Sequence, residues 1–129
     1  MALVKNSGRQ EVIAARLGLP YQGLTTAGTF EAINLPEGAI ITSGYVFIGT
    51  LTGVTNMAVN VVDKDGTELL PDMAGTYAAG RVDLVPLGVK IPVPSFINIT
   101  TTGDATDGDT QNYLYVEYVV AGRAAFSEG

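Results

Sequence analysis

Leu35-Pro36-Glu37-Gly38-Ala39-Ile40-Ile41-Thr42-Ser43-Gly44-Tyr45-Val46-Phe47-Ile48 joins a turn signal to a long β-type run. Pro36 presets φ for the second position of a turn, and Gly38 can take the conformation that ends it. The residues after it supply β-branched and aromatic bulk, which suits a pleated, half-buried surface. Gly44 interrupts the run, and a glycine inside a strand pattern marks a bulge or bend. The stretch therefore predicts one long strand over 39–49, bent at Gly44.

Working outward, Thr29–Leu35 alternates with period two, and Phe30, Ala32 and Asn34 share a face. Downstream, Thr50–Asn56 reads as a loop and Met57–Asp63 as a strand. Asp63-Lys64-Asp65-Gly66 is a hairpin turn, from which Thr67–Leu70 pairs back. Pro71–Gly80 is a loop. Val82–Val85 and Leu87–Val93 are short apolar pieces broken by Pro86, Gly88, Pro92 and Pro94, a proline density that confines them to sheet edges. Phe96–Thr102 resumes the alternation. Asn112–Ala121 is the strongest strand signal: Tyr113, Tyr115, Glu117 and Val119 share one face, and Leu114, Val116, Tyr118 and Val120 share the other, core-facing one.

Upstream, Gln10–Leu19 fits a strand better than a helix, because Gly18 and Pro20 bound it and a lone helix under ten residues is marginal. Pro20–Gly28 is a connector. Seven or eight short strands with no long helix predict an all-β sandwich or barrel. The expected division is an N-terminal arm and connector over 1–24 and a β-sandwich over 25–129.

The 129 residues fit one domain, able to remove roughly two-thirds of its unfolded surface from water without staples. Cysteine and histidine are both absent, which excludes disulfides, thiolate metal sites and the commonest general base. Charged residues make up only 16% of the chain, a sparse coat that predicts a surface partly covered by partners. The net charge of −6 is uneven. Lys5, Arg9 and Arg16 face only Glu11 in the first twenty residues, while twelve of the 13 acids follow. An acidic body argues against nucleic acid as a primary partner, and no apolar run is long enough to span a membrane. Without a secretory signal pattern, synthesis in a cytoplasm is expected.

Two segments carry a family resemblance. Leu-Pro-Glu-Gly-Ala-Ile-Ile-Thr-Ser-Gly-Tyr-Val at 35–46 and Tyr-Val-Glu-Tyr-Val-Val-Ala-Gly-Arg-Ala at 115–124 resemble the small decoration, or cement, proteins of tailed-bacteriophage capsids, over roughly residues 28–124. The resemblance implies a jelly-roll β-sandwich that binds the outside of an assembled head, with no catalysis and no cofactor. It implies the major capsid protein as partner and a virion location. It also favours the jelly roll over an immunoglobulin-like sandwich, which pattern alone does not separate.

Among local constellations, Asp104, Asp107 and Asp109 crowd six residues but lack the EF-hand spacing, so a solvated turn is expected rather than calcium. Glu31 and Glu117 lie in strands with nothing to bring them together as a glycosidase pair, and no enzyme is expected. Asn98-Ile99-Thr100 is a strand fragment in the guise of a glycosylation motif. Tyr113, Tyr115 and Tyr118 offer a stacking platform, although core or interface packing accounts for strand tyrosines more simply. Lys5, Arg9, Arg16 and Arg123 are the expected contacts to a capsid or a neighbouring subunit. Self-association fits the sparse charge, with a homotrimer placed ahead of a homodimer. A carbohydrate-binding module on the virion and a tail or baseplate structural protein share this composition and stand as alternatives.

Overall fold

A computed structural model describes residues 11–73 and 80–120. Lys5, Arg9 and Arg123 lie outside the described residues. The elements are β1 (Ile13–Gly18), a 3-10 turn (Tyr21–Leu24), β2 (Gly28–Leu35), β3 (Ala39–Ile48), β4 (Leu51–Thr52), β5 (Asn56–Asp63), β6 (Glu68–Leu70), β7 (Gly80–Asp83), β8 (Ser95–Thr102), β9 (Asp107–Gly108) and β10 (Tyr113–Val120).

The strands form two four-stranded antiparallel sheets, ordered β1-β10-β3-β7 and β2-β8-β5-β6, with β4 and β9 paired as a separate ribbon. Four of the pairings are nested: β5 with β6, β3 with β7, β2 with β8, and β1 with β10. The chain is thus one long hairpin whose successive strand pairs alternate between the sheets. That winding makes a jelly roll. Its innermost turn is the expected one after Asp63, whose carboxylate accepts hydrogen bonds from the backbone N–H groups of Asp65 at 2.9 Å and Thr67 at 2.8 Å.

The core forms between the sheets. Leu114, Val116, Tyr118 and Val120 face inward from β10, as their period predicts, and meet Val59, Val61, Ile97 and Ile99 from the opposite sheet. Connections add three fully buried plugs, Met73, Leu84 and Ile91.

The stretch 35–48 forms the turn and strand expected, with two corrections. Pro36 occupies the first position of the turn, its carbonyl accepting from the Ala39 N–H at 3.2 Å, while Gly38 sits at φ 87°. The bulge is at Thr42, where the register steps from Ser43 opposite Glu117 to Ile41 opposite Tyr118. Gly44 instead serves a close approach: a Cβ there would lie 2.8 Å from Leu84 Cδ1 and 3.1 Å from the Tyr115 carbonyl oxygen. The proline-rich pieces also differ. Gly80–Asp83 forms β7, but past Asp83 no regular ladder continues among the described residues: the chain follows the β3 edge through an isolated bridge, Ile40 to Lys90, and through single hydrogen bonds from the N–H groups of Leu84, Gly88 and Ile91 to the carbonyls of Gly44, Ile41 and Ala39. Prolines remove the donors that a continued ladder needs.

Within residues 1–24, Ile13–Gly18 is β1, an edge strand paired along its whole length with β10. The loop at 50–56 contains β4, which pairs with β9 in the acidic segment.

Candidate functional site

Strand alternation turns half of the first sheet's side chains away from the core, and these differ sharply from the outer face of the second sheet. On the second sheet, Thr29, Asn34, Asn98, Thr100 and Asn60 make a largely polar surface that also carries Phe96 and Val62, with Glu31 and Glu68 as its acids. Thr29 and Thr100 share a hydroxyl hydrogen bond at 2.9 Å, and Asn60 Nδ2 donates to Glu68 Oε2 at 2.7 Å. On the first sheet the outward positions of β10 and β3 carry Tyr113, Tyr115, Tyr45 and Phe47.

Register assembles these side chains into rows across all four strands. One row reads Arg16, Tyr115, Tyr45, Asp83 from β1 to β7, and the next reads Gly18, Tyr113, Phe47, Arg81. The rings pack as a cluster: Tyr45 meets Tyr113 edge-on at 5.7 Å, Phe47 stacks on Tyr113 at 5.8 Å, and Tyr45 lies 5.6 Å from Tyr115. The hydroxyls of Tyr45 and Tyr113 share a hydrogen bond at 3.0 Å.

Both edges supply an arginine that folds back over a ring. The Arg16 guanidinium lies 4.4 Å from the Tyr113 centroid, and that of Arg81 lies 4.1 Å from the Tyr45 centroid. Each is held by the attraction between cation and ring quadrupole, which limits the rotamer freedom otherwise lost on binding. Arg81 Nε also donates to Asp83 Oδ1 at 2.8 Å, a bond that raises the Arg81 pKa further. Among the described residues Arg16 has no acidic partner.

The environment moves the tyrosines in one direction. The hydrogen bond shared with Tyr113 is the main cause that pushes the Tyr45 pKa up, with desolvation next. Burial, followed by the charge of Glu117, pushes Tyr115 up. The three tyrosine rings of the cluster are half-buried, and Phe47 stays 38% exposed. Aromatic rings and arginine on one water-facing surface are the residue types that anchor protein interfaces.

The sequence candidates sort cleanly on this frame. Arg16 joins the face, as do Tyr113 and Tyr115, whereas Tyr118 points into the core at 8% exposure. Tyr45 and Phe47 complete the cluster in its place. The signal for them was their own period-two spacing in the 35–48 stretch, but only register shows that they oppose Tyr115 and Tyr113. Arg81 and Asp83, in a short apolar piece between loops, gave no such signal.

Glu31 and Glu117 belong to different sheets and face opposite sides of the sandwich, so they do not flank a common substrate. Asn98 lies in mid-strand between Glu31 and Asn60, its amide oxygen shut off from solvent.

The acidic segment acts as a clasp at one end of the sandwich. Asp104 Oδ1 accepts from the Ala27 N–H at 2.7 Å, and Asp107 Oδ1 from the Gly108 N–H at 2.8 Å. The Asp109 carbonyl accepts from Tyr21 N–H and from Asn112 Nδ2. Among the described residues, no three acidic side chains gather as a cation site. An apolar pocket of about 160 Å³ opens between β1 and β2, lined by Leu17, Leu19, Leu24, Phe30 and Ile99 among others. It falls below the roughly 300 Å³ at which small-molecule sites begin.

No protein-family model matches this chain, and no curated protein matches it in sequence. Solved structures do match in fold. A chain of the acid-stable capsid structure of Helicobacter pylori bacteriophage KHP30 aligns at a TM-score of 0.54 and 15% identity, covering 90% of this chain and 90% of that one. A chain of the capsid of Ralstonia phage GP4 aligns at a TM-score of 0.54 and 14% identity, covering 96% and 92%. At these identities the likeness is one of fold, and it spans nearly the whole of each chain: this jelly roll is built like chains found in two phage capsids.

Proposed function

We propose that this chain is a structural protein of a phage virion, located on the outer surface of the expanded head, where it bridges neighbouring major capsid subunits. The observation that carries the reading is the asymmetry of the sandwich: one outer face is largely polar with two acids, and the other gathers four aromatic rings and two arginines into a surface fit for docking. The fold likeness to phage capsid chains supports it. Lys5, Arg9, Arg16 and Arg123 are the proposed contacts to capsid or neighbouring subunits, cations on a chain whose net charge is −6. The mechanism is mechanical. A protein that binds only the expanded lattice stabilises that state by its differential affinity for it. Many copies on one shell multiply a modest single contact.

Binding of glycans to the same face is less well supported, because Arg16 and Arg81 already cover two of its rings, Tyr113 and Tyr45. The test mixes purified protein with expanded heads lacking it and with unexpanded proheads, then sediments both. Saturable co-pelleting with expanded heads alone is the expected result, and no binding to either refutes the reading. A truncation of residues 1–10 should weaken binding at least tenfold, as the loss of Lys5 and Arg9 removes two of the proposed contacts. Unchanged binding takes the arm out of the mechanism.

A further inference from the structure

We propose that the aromatic and arginine face of the first sheet pairs with the same face of a second copy, across a two-fold axis parallel to the strands. The reason is the order of residues within each row. The row Arg16, Tyr115, Tyr45, Asp83 is cationic at its β1 end, anionic at its β7 end and aromatic between. A two-fold axis along the midline between β10 and β3 exchanges β1 with β7 and β10 with β3, and keeps each row at its own height. It sets Arg16 over Asp83 of the second copy, twice, and Tyr115 over Tyr45, twice.

The next row answers the same operator in shape. Arg81, its bulkiest member, comes over Gly18 of the second copy, which has no side chain, and Tyr113 comes over Phe47. Further along the strands Val119 and Ile40, already opposite one another, also exchange. A two-fold axis perpendicular to the strands and through the first row would instead lay Arg16 over Arg16. Charge therefore selects the direction of the axis.

Both members of the proposed ion pair are available. Arg16 is exposed and forms no ion pair among the described residues, Glu117 on the same face included, and Asp83 uses only Oδ1 on Arg81, with a side chain 68% exposed. The row between those of Tyr115 and Val119, formed by Ala14, Glu117 and Ser43, sets Glu117 over Ser43 of the second copy, and four rows at about 6.8 Å and four strands at about 4.8 Å give a patch of about 20 by 14 Å at most. That is a few hundred Å² per copy, below the roughly 800 Å² of a standard interface, so the pair is reversible and weak until copies are concentrated on a surface. The pairing assigns to a second copy the face that the capsid reading offers for docking, so the two compete for it, and the test below separates them.

Sedimentation velocity of the full chain from about 10 μM to about 1 mM tests it, the range in which weak pairs form. The expected result is a concentration-dependent monomer–dimer equilibrium. Arg16→Asp and Asp83→Arg should each weaken it at least tenfold, since each homodimer then faces two like-charged pairs. An equimolar mixture of the two variants should regain the dimer, because the heterodimer alone carries two opposite-charged pairs. Gly18→Arg is an independent variant. A Cβ added there meets nothing within 4 Å in the single chain, and an arginine on this edge strand would confront Arg81 of the second copy, so the chain should fold normally and stay monomeric. A wild-type chain that is monomeric at the highest concentration, or trimeric, overturns the proposal. So does a mixture that fails to regain the dimer. If Arg16→Asp leaves self-association intact but abolishes co-pelleting with heads, the face belongs to the capsid contact and the pairing is refuted.

Discussion

Replacing Gly44 with alanine tests how tightly Leu84, the buried plug just past β7, packs against the inner side of β3. The new Cβ would lie 2.8 Å from Leu84 Cδ1, 3.5 Å from Leu84 Cγ and 3.1 Å from the Tyr115 carbonyl oxygen. Carbon pairs prefer 3.5–4.0 Å, so Leu84 must move by most of an ångström. It has nowhere to go: the side chain is fully buried, and its own N–H donates to the Gly44 carbonyl at 3.0 Å, which ties it to the residue that pushes. Overpacking of this kind costs about 1–3 kcal/mol, while alanine recovers roughly 0.5–1 kcal/mol of the backbone entropy that glycine loses in a strand. The expected net loss is about 1–2 kcal/mol, or about 5 °C in Tm for a domain of this size. Urea unfolding with an unchanged m-value is the assay. The second arm is Leu84→Ala, which alone should cost about 2–5 kcal/mol through the cavity it leaves. In the double variant the methyl at 44 occupies part of that cavity, so the cost should fall short of the sum by about 1–2 kcal/mol. Additive costs, or a Gly44→Ala chain as stable as wild type, would refute the packing described.

Two further predictions concern the face and the end clasp. Tyr45 has a raised pKa in the folded chain, so folding favours its protonated form; this contribution is complete below the ordinary tyrosine value of about 10 and is lost as pH rises through the raised one. Urea midpoints should therefore fall as pH rises above about 10, and Tyr45→Phe should flatten that fall; an equal fall in both chains speaks against it. Asn112 is 1% exposed, accepts from the Gly49 N–H at 2.8 Å and donates to the Asp109 carbonyl at 3.1 Å, so Asn112→Ala strands buried backbone groups and should cost about 2–3 kcal/mol in urea unfolding.

What could be read from the chain alone was whatever has a local period. The inward set of β10 follows from alternation over eight residues, and the turn after Asp63 follows from its own four residues. Features that depend on a distant partner were not legible. The bulge at Thr42 is a mismatch with Glu117 and Tyr118, more than seventy residues away, and Gly44 misled because a glycine forced by a neighbour's bulk looks the same in sequence as one that bends a strand. The β4–β9 ribbon is two residues on each side, too short to carry any period. The jelly-roll order came from resemblance and not from pattern, since alternation says which face a residue takes and nothing about which strand lies beside it. The docking face shows the same division. Tyr113 and Tyr115 were visible as a pair, but the row that ends in Asp83 exists only once β7 is laid against β3.

Arg16 shows why the N-terminal segment does not divide into an arm that binds and a sandwich that folds. It sits on β1, where Ile13 and Leu17 pack against the core while Arg16 points the opposite way onto Tyr113. β1 pairs only with β10, and β10 carries both the inner residues Leu114 and Val116 and the outer Tyr113 and Tyr115. Deleting residues 1–18 would remove a cation from the face and also leave β10 as a bare edge, its unpaired N–H and C=O groups open to other chains. Loss of binding would then have two causes and identify neither. Ending the deletion at residue 10 keeps the six paired residues of β1, and the charge reversal at Arg16 keeps its Cβ and its place in the strand. The two perturbations separate the basic start of the chain from the edge of the sheet: if the first loses head binding and the second loses self-association, the N-terminal residues and the sheet face serve different partners.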